Sequence, residues 1–214
     1  MKKHLFLLTL LVLGQFVQAQ TSKEILDKLS TKAKAFKSIT SDFTSTLNNP
    51  KTGAKSTTNG SVKIKGSKYY VNMGKYQIWS DGKTVWNYSK DGNEVTVDNL
   101  ADVKDGGFDP SEMFTIWEKN FKHEMKSTDS NVDGVSCYQI ALTPNDAKNK
   151  SYHTITMYVD KNKMEVAKVE VKTRDNATVS YKIKNFKTTS DLPDSDFTFN
   201  KASFPGVAVV DNRL

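Results

Sequence analysis

Ile25, Leu26, Leu29, Ala33 and Phe36 recur at helical spacing. They predict one amphipathic helix, capped by Ser22 and running to about residue 38. After it the apolar period shortens to two. Strands are expected over 42–47, 61–65, 68–73, 76–80, 84–88, 93–98, 121–128, 136–143, 152–160, 164–173 and 178–187. Each run is short and rich in β-branched or aromatic residues. Asn59-Gly60, Asp81-Gly82, Asp91-Gly92 and Asp133-Gly134 supply residues that tolerate positive φ and read as tight turns. Asp160-Lys161-Asn162-Lys163 and Arg174-Asp175-Asn176 read in the same way. About eleven strands joined in sequence order make an antiparallel meander, and strand twist curls such a sheet until one face is concave. That face must be covered or must bind something.

The break between Leu100 and Asn120 offers the cover. Asp105-Gly106-Gly107 reads as a flexible joint. Asp109-Pro110 reads as a helix start, with Asp109 the cap and proline at the first helical position. Met113, Phe114, Ile116 and Trp117 then make a short, heavily apolar helix. It suits a permanent core plug, and it equally suits a lid, since methionine and aromatics form surfaces that can repack.

Composition narrows the picture. Lys2 and Lys3 precede an apolar run from Leu5 to Leu13, and Val17-Gln18-Ala19 ends in a small residue. This order predicts a secretory signal peptide over 1–19, cleaved after Ala19, ahead of a single domain over 20–214. The formal charge is +7, spread along the chain, which argues weakly for any polyanion and for no nucleic-acid partner. The lysines of Val62-Lys63-Ile64-Lys65 and Tyr181-Lys182-Ile183-Lys184 alternate with apolar residues and mark the solvated face of strands. Cys137, the one cysteine, has no internal disulfide partner and reads as a small, largely buried residue.

Chemistry is sparse. His123 and His153 sit in strand-like runs without a paired ligand spacing. There is no phosphate loop, nucleophile elbow or His-Glu-x-x-His. Neither an enzyme, a metal site nor a cofactor is expected. A hydrolase or sugar-binding protein built on Trp79, Trp86 and Tyr88 is a distant alternative.

Three stretches carry a resemblance. The run 78–88, Ile-Trp-Ser-Asp-Gly-Lys-Thr-Val-Trp-Asn-Tyr, resembles the central hairpin of the periplasmic outer-membrane lipoprotein carrier (LolA) family. The tail from Asp196-Phe197-Thr198-Phe199 through Pro205-Gly206 to Asp211 is similar to that family's C-terminal segment. Phe36 to Phe43, with Ser41-Asp42-Phe43-Thr44, resembles its first helix-to-strand passage, and Leu142-Thr143-Pro144 matches a family strand end.

The resemblance implies a mainly β (α+β) fold: an incomplete antiparallel β-barrel of about this strand number, with an N-terminal helix and a helical lid. It implies a monomeric periplasmic chaperone of a Gram-negative cell, carrying acylated lipoproteins from the inner to the outer membrane. Its partners would be those lipoproteins, an inner-membrane lipoprotein-releasing ABC transporter and, where one exists, an outer-membrane acceptor. Many members carry an arginine that bonds the lid where this chain has Gly66, followed by Ser67 in place of proline. Lid latching must therefore differ. The expected acyl-cavity residues on strands are Val62, Ile64, Tyr70, Ile78, Ile140, Leu142, Val169 and Val171. Those on the lid are Met113, Phe114, Ile116 and Trp117. A generic periplasmic binder of lipids or other apolar ligands on the same fold is the alternative.

Overall fold

Thr21, rather than Ser22, caps the first helix, α1 (Ser22–Lys34). Its hydroxyl accepts the Glu24 amide while the Glu24 carboxylate accepts the Thr21 amide, a reciprocal capping box. The helix stops at Lys34, short of residue 38, because Ser38 already belongs to the first strand. The computed structural model describes residues 21–104, 110–148, 150–189 and 191–213. The expected leader, the Gly106-Gly107 joint and the Asp109 cap lie outside the described residues.

Twelve strands form one sheet. They are β1 (Ser38–Asn48), β2 (Lys55–Lys65), β3 (Lys68–Met73), β4 (Tyr76–Ser80), β5 (Thr84–Ser89), β6 (Glu94–Asn99), β7 (Phe121–Val132), β8 (Val135–Pro144), β9 (Tyr152–Asp160), β10 (Val166–Thr173), β11 (Thr178–Thr189) and β12 (Ala208–Asp211). The order is β12-β6-β5-β4-β3-β2-β1-β11-β10-β9-β8-β7, so β1 joins the two halves by pairing with both β2 and β11. The sheet ends at β12 and β7 without closing, as an open barrel does. All neighbours are antiparallel except β12, which adds parallel to β6. That strand was not expected: four residues pairing at long range leave no local signature. A further short helix, α2 (Leu100–Lys104), was also not expected.

Asp81-Gly82 and Asp133-Gly134 turn as expected. The Asp81 carboxylate accepts the Lys83 and Thr84 amides at 2.9 and 2.8 Å, and Asp133 and Gly134 both have positive φ. Asn59-Gly60 does not turn. It lies inside β2, which runs unbroken from Lys55, and the chain reverses instead at Asn49, whose amide bonds the Ala54 carbonyl. Gly60 sits opposite Phe43 in the ladder, and the Phe43 ring lies against its bare Cα.

The concave face is the main core. Ile25, Leu26 and Leu29 of α1 lie in one buried cluster with Ile140, Leu142, Ile155, Met157 and Val169. Lys32 ties α1 to the β9–β10 turn through the Lys163 carbonyl and the Glu165 carboxylate, while Ser22 meets His123 of β7 at 3.0 Å. α1 thus fills the β7–β10 half of the trough. A bulge in β11 turns both Lys184 and Asn185 outward, so Ile183 and Phe186 both face the trough.

The outer face of the other half carries a second core. Residues 191–211 cross it as a strap. Asp194 pairs with Lys65 and Lys68 at 2.9 and 2.6 Å, Asp191 with Lys65 at 2.7 Å, and Asp196 with Lys63 at 2.9 Å. Phe199 and Phe204 then pack on Trp79 and Tyr88, and the strap ends as β12.

Candidate functional site

Alternation on the strands next to β1 directs apolar side chains into the trough that α1 leaves unfilled. Val62, Val71 and Ile78 form one cross-strand row on β2, β3 and β4. Met73 extends it on β3. Phe43 of β1 stands opposite Ile183 of β11, and the Phe43 and Tyr181 rings meet edge-on at 6.0 Å. Together these walls enclose a cavity of about 280 Å³, roofed by Pro110 and Met113. Among the described residues no charged side chain lines it. Burial pushes the Tyr181 phenol above its ordinary pKa, so this lining stays neutral at physiological pH.

The roof is not one helix. Two 3-10 turns, Pro110–Glu112 and Ile116–Glu118, replace the expected α-helix. The second turn is fixed to α1. The Trp117 indole N–H donates to the buried Ser30 hydroxyl at 2.8 Å, and Lys34 grips both carboxylate oxygens of Glu118 at 2.6 and 2.8 Å. Glu118 is held below the usual carboxylate range, chiefly by that Lys34 bond. Phe114 stacks edge-on against Phe186 at 5.9 Å.

The expected site residues therefore divide. Val62, Ile78 and Met113 line the cavity. Ile64 and Phe114 line an adjacent cleft. Ile116, Trp117, Ile140, Leu142, Val169 and Val171 belong to the packed core cluster and border neither space. Tyr70 is on the wrong face. It pairs with Lys63 rather than Val62, and its ring packs against Trp79 in the outer core at 5.2 Å. Phe43, Val71, Met73, Pro110, Tyr181 and Ile183 were not expected. Tyr181 and Ile183 had a signal in their alternation with Lys182 and Lys184.

Other chemistry does not assemble. Among the described residues no three His, Cys, Asp or Glu side chains gather in a way that could hold a metal ion. Trp79 and Tyr88 are buried beneath the strap, so they offer no exposed platform to a sugar.

The family model for the outer membrane lipoprotein carrier protein LolA matches residues 34–200. The chain belongs to that family. Its members by that description are carriers rather than enzymes. An uncharacterized protein of Methanocaldococcus jannaschii is 29% identical over 203 residues, covering 92% of this chain and 58% of the relative. The chain thus spans little more than half of that relative's length. Among solved structures, an uncharacterized conserved protein of Thermus thermophilus superposes with a TM-score of 0.58 at 12% identity, over 90% of this chain and 100% of that one. It shares the fold. A LolA superfamily protein of Nitrosomonas europaea is similar with a TM-score of 0.45 at 14% identity, over 85% and 99% of the two chains.

Proposed function

We propose that the protein is a periplasmic carrier of lipoproteins that holds their acyl chains in the cavity under the 110–118 roof. The observation that carries this reading is the apolar cavity beside β1, roofed by Pro110 and Met113. A triacylated protein exposes roughly 40 methylenes, each costing on the order of 0.8 kcal/mol in water, so it cannot cross an aqueous compartment unaided. A carrier has to offset most of that cost, yet bind less well than a bilayer, or it never releases. An unsealed barrel with a displaceable roof meets both conditions. In this reading residues 1–19 are the cleaved leader and the mature chain works as a monomer. It takes its load from the lipoprotein-releasing ABC transporter and passes it to the outer membrane.

One observation favours a second reading, a binder of single-chain lipids. At about 280 Å³ the cavity lies just below the usual size of ligand sites, about 300–1,000 Å³. It suits one chain, and three require the roof to move.

The test is displacement of an environment-sensitive apolar dye. A triacylated peptide should displace it, and the same peptide without acyl chains should not. Equal displacement by both sinks the carrier reading. Displacement by single-chain lipids alone, with no release of lipoprotein from donor membranes, selects the second.

A further inference from the structure

The roof segment separates two compartments of different chemistry. Pro110 and Met113 face the apolar cavity, while Ser111, Phe114 and Thr115 face a cleft of about 310 Å³ between the end of α1 and the β2–β3 turn. The two compartments are neighbours along β2, since Val62 lines the first and Ile64, on the same face two residues on, lines the second. The cleft floor is apolar, but its rim is not. Lys34 and Lys37 line it together with Ser111 and Thr115, and among the described residues no acidic side chain does. Lys34 is held by Glu118. Lys37 is exposed and makes no ion pair with any described residue.

Gly66 keeps the cleft open. It lines the cleft with φ +58°, and a Cβ built there meets nothing within 4 Å. A longer side chain at this turn would project into space the cleft now offers.

We propose that this cleft is a second subsite, which seats the negatively charged polar end of an amphiphile whose acyl chain lies in the cavity. The inference rests on the cavity's being an acyl site and adds a choice among headgroups. The apolar floor accepts the first methylenes and the linking ester or amide. The Thr115 hydroxyl donates to its oxygens, and Lys37, which has no ion-pair partner among the described residues, supplies the positive charge for a phosphate or carboxylate.

The turn geometry provides a clean test. Asn and Asp both tolerate the left-handed region and have nearly the same size. Gly66→Asn and Gly66→Asp therefore differ in charge and in little else. Dye displacement is measured with two single-chain lipids of equal chain length, one with a phosphomonoester head and one with a neutral glycerol head. The wild-type protein should bind the phosphomonoester at least threefold more tightly. Gly66→Asp should weaken that lipid at least fivefold relative to Gly66→Asn, and leave the neutral lipid within twofold. Lys37→Ala should erase the headgroup preference without altering dye affinity.

If the dye binds and both heads displace it equally, or if the preference survives Lys37→Ala and Gly66→Asp, the subsite is refuted and the acyl cavity stands. If neither dye nor lipid binds, both readings fall. Inorganic phosphate as sole competitor separates the sources: the subsite proper requires it to compete far more weakly than the lipid, and equal competition overturns the amphiphile assignment.

Discussion

Gly60→Ala probes how the fold keeps the cavity empty. A Cβ at this position lies 2.5 Å from the Asn72 carbonyl oxygen and 2.8 Å from Phe43 Cε2, and it is in hard contact with Phe43 Cζ. The ring has somewhere to go, because Phe43 lines the cavity. The carbonyl does not, because Asn72 is paired to Ser61 in the β2–β3 ladder. Overpacking of this kind costs about 1–3 kcal/mol. Stiffening the unfolded chain by replacing glycine returns about 0.4–1 kcal/mol. The net loss should be about 1–2 kcal/mol, or roughly 3–7 °C of Tm for a domain of this size. Dye affinity should fall in the same variant, since the displaced ring enters the cavity. Thermal unfolding and dye titration on Gly60→Ala, Phe43→Leu and the double variant separate the two clashes. Relief of the ring clash should appear as a coupling of about 0.5–3 kcal/mol between the two positions. An unchanged Tm with unchanged dye binding would refute the reasoning. So would simple additivity of the two substitutions, since it would mean that ring and Cβ never meet.

Three further outcomes are expected. Trp117→Phe leaves the Ser30 hydroxyl buried without its donor, and should cost about 1–3 kcal/mol in denaturant unfolding; a loss below about 0.5 kcal/mol would show that the roof is not tied there. Ile116→Glu buries a charge in the core and should cost about 3–5 kcal/mol, whereas Met113→Glu, at the cavity roof, should abolish acyl-peptide binding with a smaller fall in Tm; proportional losses in both variants would mean that the roof is core throughout. The strap should withstand acid: hydrogen bonds from Lys68 and then Lys65 hold Asp194 at about 2. That lies below the roughly 3.9 of an unfolded chain, so its contribution is fully present above about pH 4 and lost as pH falls toward 2. Amide exchange of Ala208–Asp211 reads this, and strap release already complete at pH 4 would contradict it.

What the sequence made legible was whatever two-residue alternation and local turn chemistry decide. Val62 and Ile64 face inward and Lys63 and Lys65 outward because the pleat leaves no other choice. The same rule, carried across the ladder, would have excluded Tyr70: its register partner is Lys63, but that pairing follows from where the β2–β3 turn falls. Asn59-Gly60 misled for the converse reason. As a dipeptide it is a strong turn signal, and only the Phe43 ring from the neighbouring strand explains why a strand needs glycine there. The bulge at Asn185, the parallel β12 and the Trp117–Ser30 bond share this character. Each joins residues far apart in the chain, so no window of sequence contains both partners.

The two halves of the sheet draw their stability from opposite faces, and this is what leaves room for a cavity. Against the β7–β10 half, α1 and the Ile116–Trp117 turn fill the trough, and residues such as Ile140 and Leu142 are fully buried there. Against the β3–β6 half, the strap buries Trp79, Tyr88 and Val95 from the outside, and the inner face need not be filled. An empty volume of about 280 Å³ would destabilise a rigid core by as much as roughly 7 kcal/mol at ~24 cal/mol per Å³. That is comparable to the whole stability of an ordinary domain, about 5–15 kcal/mol. Partial opening to solvent reduces the figure, but the direction holds: an apolar trough left unfilled has to be supported from elsewhere. The strap's aromatic cluster and its lysine–aspartate clasps supply that support on the face away from the cavity. In the proposed carrier, a ligand that fills the cavity then adds to stability, and its departure does not unfold the sheet.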